Sequence, residues 1–169
     1  NTATGRIVMT DAVIDLGKYT GGEDDLGNQF NNFGLIQIDG DNTVYMSSGE
    51  DAVGYPSAFY HAGSIDFTNE ESAVDDSLMI YGDFESVDGE LTVDIDGADG
   101  LSDMLTIEGD MAGEMVINAL LHSIPQQVET FSVDVVDVQG SQEGTIAAGI
   151  IEWAPESLFD WQANLSGAA

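Results

Sequence analysis

The stretch Leu78–Asp96, LMIYGDFESVDGELTVDID, carries the strongest local signal in this chain. Runs of alternating apolar and polar residues flank Asp88-Gly89, a dipeptide that tolerates the positive φ angles of a two-residue type I′ turn. Read as a hairpin, it pairs Val87 with Glu90, Phe84 with Val93 and Gly82 with Ile95. That register gathers Phe84, Leu91, Val93 and Ile95 on one buried face. It sets Asp83 opposite Asp94 on the other, a like-charge pair that depends on cations for screening. The reading predicts a chain of thin strands, apolar within and anionic without.

Working outward, Gly5–Leu16 predicts a first strand broken near Thr10-Asp11, and Lys18–Asn32 a polar, Gly-rich loop holding the acid cluster Glu23–Asp25. Phe33–Ile38 and Thr43–Ser47 form a second hairpin candidate across Asp39-Gly40-Asp41-Asn42. Its two strands carry apolar residues on both faces, which predicts burial on two sides or a subunit contact through Leu35, Ile36, Tyr45 and Met46. Ala58–Thr68 reads as a strand with a bulge at Gly63, and Asp103–Glu108 as another. Glu114–His122 suits a strand or a helix, and its neighbours favour strand. Phe131–Val138 and Thr145–Trp153 complete the set.

The expected fold is therefore all-β: a single-domain β-sandwich of jelly-roll type over residues 1–169, with about eight or nine strands and at most one short helix. Residues 1–7 and 157–169 are expected as arms contacting neighbouring subunits, the second carrying Leu158, Phe159 and Trp161. No repeat of 20–50 residues stands out, which argues against a propeller or solenoid. The sequence begins at Asn1 without Met, so the expectation is that a leader was removed or a further segment precedes it.

Charge is the compositional anomaly. The chain of 169 residues has 32 acidic side chains against two basic ones, Arg6 and Lys18, and a net charge of −30. Such a charge normally accompanies disorder, yet 43% of the residues are hydrophobic and periodically placed. A folded protein in concentrated salt reconciles the two, because at molar ionic strength the Debye length falls to about 3 Å. Asp outnumbers Glu by 20 to 12, which further suggests a halophilic setting, a haloarchaeon or its virus. Nucleic acid and anionic lipid are disfavoured as partners by long-range repulsion. No run of 18 apolar residues offers a spanning helix, so direct membrane insertion is not expected.

Chemistry is sparse. There are no cysteines and two histidines. His61 and His122 sit in no recognisable nucleophile motif and read as structural, and a zinc site would need more His or Cys. Phosphate loops are missing. Asp94–Asp99 resembles a calcium loop only superficially, since Ala98, Asp99 and Leu105 occupy the diagnostic EF-hand positions. A looser cation site through Asp96, Asp99 and Asp103 is the candidate that is left, with Ca2+ or monovalent cations as occupants and no cofactor required.

The function expected is a non-enzymatic structural subunit that assembles with copies of itself or related coat subunits. The candidates are a virion capsid protein of a halophilic virus and an extracellular filament subunit, in a high-salt environment. A secreted calcium-dependent adhesion module is the alternative, and a small carboxylate-pair hydrolase the third. The charge alone generates one prediction: the melting temperature should rise steeply between ~0.1 M and ~2 M NaCl as self-repulsion is screened. A melting curve indifferent to salt would contradict it.

Overall fold

The computed structural model describes residues 1–17, 28–46, 57–68, 74–123 and 131–153. It is all-β, as expected, but the strands stack in parallel as a β-solenoid of about 4 turns rather than a jelly-roll sandwich. The first turn holds β1 (Arg6–Thr10), β2 (Val13–Asp15) and β3 (Gln29–Asn32). The second holds β4 (Leu35–Asp39), β5 (Asp41–Tyr45) and β6 (Ala58–His61). The third holds β7 (Ser64–Asp66), β8 (Ser77–Tyr81) and the start of β9 (Asp83–Asp96). The rest of β9, then β10 (Leu101–Ser102), β11 (Met104–Ile107) and the start of β12 (Met111–Ser123), make the fourth. The remainder of β12, with β13 (Val136–Val138) and β14 (Thr145–Trp153), closes the described chain.

Three parallel ladders run up the column. One follows β1-β4-β7-β9-β12-β14 and a second β2-β5-β8-β11-β13. The third joins β3 to β6 and β6 to the first residues of β9, which in turn meet the first residues of β12. Among the described residues the only antiparallel pair is the short β10 against β9.

The central stretch thus pairs otherwise than as a hairpin. Asp88 does take positive φ, at 53°, but the chain turns a corner of the solenoid there instead of reversing. Phe84 lies between Phe59 and Met111, and Leu91 between Ile65 and Ile117. Asp83 pairs with Ala58, not with Asp94. The predicted inward positions Phe84, Leu91 and Val93 are nonetheless fully buried, because the alternation of a strand is the same whichever neighbour it takes. The second hairpin fails likewise: β4 pairs with β1 and β7, while β5 pairs with β2 and β8. Gly63 marks a corner between β6 and β7 rather than a bulge, and Glu114–His122 is strand.

Stacking places like on like. Ile7, Ile36, Ile65, Leu91 and Ile117 form one inward column, and Met9, Ile38, Phe67 and Val93 run beside it. Phe30, Phe59 and Phe84 stack face to face with centroids 4.8 Å and 5.6 Å apart. Each such side chain contributes about 1.5–3 kcal/mol relative to exposure. These columns fill the interior.

Corners are where polar side chains and glycines decide the geometry. Between the third and first ladders, Asn32, His61 and Ser86 stack inward, all three buried. Asn32 Nδ2 lies 3.1 Å from His61 Nδ1, and His61 Nε2 lies 3.1 Å from the Glu90 carbonyl. The amide of Asn32 can only donate to Nδ1, so the ring is neutral, with its proton on Nε2 donated to Glu90. Gly34 and Gly63 follow in the same corner, where a methyl group on either would overlap the backbone of the turn before it. Gly113 adds a positive φ of 88° and packs against the Ser86 carbonyl.

Gly113→Ala should therefore cost about 3 kcal/mol in denaturant unfolding, from strain and overlap together. Gly100→Ala, at φ 71° but with nothing within 4 Å, should cost only about 1 kcal/mol. Equal losses would show that close approach between turns is not what demands glycine.

Candidate functional site

The acids predicted to face solvent include several that work inside the fold. At the corner between the first and second ladders, Asp11 Oδ1 accepts the Asp41 N–H at 3.1 Å, and Asp76 Oδ1 accepts that of Gly40 at 2.7 Å. Asp103 goes further: its two oxygens accept the N–H groups of Asp76 at 3.1 Å and Asp94 at 2.7 Å. At the next corner Asp83 accepts the Asp110 N–H, and Asp110 that of Ser141. A short carboxylate reaches the backbone of the adjacent turn, which a longer side chain overshoots. Part of the excess of Asp over Glu is thus structural.

Asp76, Asp94 and Asp103 are buried together, and His122 Nε2 lies 2.8 Å from Asp94 Oδ1. Burial pushes the Asp103 carboxyl up to about 7, against the two N–H bonds that favour its charge. Asp76 is raised too, chiefly by burial. His61 is driven the other way: burial lowers it to about 4. The cluster places acid and imidazole side by side, but Asp76 and Asp103 turn their oxygens to backbone N–H groups.

The three residues predicted to share a cation take separate roles. Asp96 accepts the hydroxyl of Ser123 and the N–H groups of Ala98 and Asp99, and the Ser123 bond above all holds its carboxyl below the ordinary range. Asp99 is exposed, and Asp103 is buried in its corner. Among the described residues no group of three or more His, Asp or Glu side chains is arranged to hold a metal ion. Of the residues expected at a contact surface, Ile36 and Met46 are buried in the chain's own core, while Leu35 and Tyr45 are half-buried, Tyr45 stacked on Tyr81 at 4.6 Å. Leu158, Phe159, Trp161 and the Glu23–Asp25 cluster lie outside the described residues.

What sequence reasoning missed are the two ends of the column. β1 and β14 are each paired on one side only among the described residues. On β14, Ala147, Ala148, Gly149 and Ile150 are exposed, Ile150 by 66%. Ala148 stands in the column of Ile117 and Leu91, so its exposure means that the inward stack stops uncovered. Beside it, Thr68, Thr92, Asn118, Ile150 and Glu152 line a shallow groove of about 240 Å³ on the outer surface. The one signal available beforehand was the small-residue run Ala147-Ala148-Gly149 inside an apolar strand. No family model, curated protein or solved structure matches this chain.

The opposed shifts of His61 and Asp103 give a pH prediction. His61 folds with a value below its ordinary 6.5, so the unfolded chain binds its proton more readily and stability falls as pH drops from 6.5 toward 4. Asp103 folds with a value above its ordinary 3.8, so its contribution to stability rises as pH drops from 7 toward 3.8. In wild type the two offset. His61→Gln should melt higher at pH 5 than at pH 7, and Asp103→Asn lower, each by about 2 kcal/mol in stability. Parallel slopes in the two variants would contradict the assignment.

Proposed function

We propose that this chain is a non-enzymatic structural subunit that assembles with copies of itself in a high-salt environment, in an extracellular filament or a virion coat. The observation that carries the reading is the pair of strand edges, β1 and β14, each unpaired on one side among the described residues, at the two ends of a continuous core. An unpaired edge is a template for another strand, and folds that remain monomeric blunt it. Stacked-repeat proteins need capping units for the same reason. The coat reading keeps no support from jelly-roll architecture, which this fold does not have.

The acidic exterior supports a setting rich in cations. With 32 acids against two basic side chains, copies repel one another in dilute buffer and approach only when that repulsion is screened. Nucleic acid is disfavoured on the same ground. Among the described residues no helix is long and apolar enough to cross a membrane.

Sedimentation velocity and negative-stain images at ~0.1 M and ~2–3 M NaCl test this reading, since molar salt removes long-range repulsion. The expected result is a monomer in low salt and large, regular assemblies in high salt. A monodisperse monomer under both conditions would overturn it.

A further inference from the structure

Building on the self-assembly reading, we infer that copies join head to tail, the edge of β14 left unpaired among the described residues of one copy pairing in parallel with the corresponding edge of β1 in the next.

The register of the solenoid supplies the geometry. Along the first ladder Arg6 pairs with Leu35, Leu35 with Ser64, Ser64 with Glu90, Glu90 with Val116, and Val116 with Ala147. A further turn above β14 would set an Arg6-like position over Ala147 and an Ile7-like position over Ala148. The first turn of a second copy supplies those residues. Ile7 would then cap the exposed Ala148, and Met9 would follow Ile151, so both inward columns run on through the joint.

The backbone at the head is free to take part. Leu35 N–H donates to the Gly5 carbonyl and Asp11 N–H to the Asp39 carbonyl, so the odd-numbered residues of this strand turn their backbone groups toward β4. By the alternation of a strand, Arg6, Val8 and Thr10 turn theirs to the open side.

Charge favours this pairing over like ends meeting. Both basic side chains of the molecule, Arg6 and Lys18, fall within the first 18 residues. The first turn exposes Arg6 on β1 together with two acids, Asp11 and Asp15, whereas the last turn exposes Asp134, Asp137, Glu143 and Glu152 and, among the described residues, no base. Two last turns facing each other would bring acid against acid. A contact between two different surfaces closes into a ring only where successive copies rotate back on themselves; a joint that simply continues the stacking of the column yields an open chain of subunits.

Two variants decide the matter when mixed. Ala148→Asp damages the tail at an exposed position. Val8→Pro damages the head, removing an N–H that β4 does not use and placing a ring against an incoming strand. Val8→Glu is a second head variant at a residue 58% exposed. Each is first shown to melt cooperatively in ~2–3 M NaCl, where screening is complete. Alone, each should remain monomeric there. Mixed one to one, the intact head of Ala148→Asp meets the intact tail of the Val8 variant, so a heterodimer forms and nothing longer. Assembly of either variant alone as in wild type, or a mixture that stays monomeric while wild type assembles, would overturn the head-to-tail joint and leave self-assembly standing. A wild-type chain monomeric at every salt concentration, its β14 edge covered by another part of the same chain, would overturn both.

Discussion

Every turn of this molecule is held by the turn before it. A single coil of the solenoid buries no core and satisfies only half of its backbone groups; a stack of coils does both at once. Isoleucine over isoleucine and phenylalanine over phenylalanine follow from that constraint, since a column accepts side chains of matching volume. So does the choice of corner residues. Where two backbones approach closely only glycine fits, and where an N–H faces the neighbouring turn a short carboxylate or amide meets it.

That constraint also explains the polar interior. Asn32, His61 and Ser86 occupy one inward position in three successive turns, and Asp103 accepts the N–H groups of Asp76 and Asp94. Buried polar groups are costly unless bonded. Here Asn32, His61 and Asp103 bond to corner backbone that the ladders leave over. The price is a pair of ionisable groups held far from their ordinary protonation behaviour, in opposite senses.

The sequence made the strand content and much of the core legible, and hid the topology. Alternation identified Phe84, Leu91 and Val93 as inward whichever strands flank them, and all-strand surroundings placed Glu114–His122 correctly. Pairing was misread at Asp88-Gly89 because a hairpin and a solenoid corner both call for positive φ there. The period escaped notice because the turns differ in length: partners lie 29 residues apart from Arg6 to Leu35, 26 from Ser64 to Glu90 and 31 from Glu114 to Thr145. The common kernel is short. Phe30-Asn31-Asn32-Phe33-Gly34, Phe59-Tyr60-His61-Ala62-Gly63 and Phe84-Glu85-Ser86-Val87-Asp88-Gly89 align once the corner is known. The surface acids misled in another way, since Asp103 and Asp94 resemble solvated carboxylates until burial is seen.

The three edges of the column are unequal in what they permit. The number of residues that separates β2 from β3, β5 from β6, β7 from β8 and β12 from β13 varies. Between β3 and β4, and between β6 and β7, the chain has only two residues in which to turn. The first two edges combine long connections with tight ones such as Gly40 and Gly82, whereas every described connection along the third is tight, and there a methyl group on Gly34 or Gly63 collides with a neighbour. Growth and decoration of such a molecule are therefore confined to two of its sides, leaving the remaining one smooth from end to end.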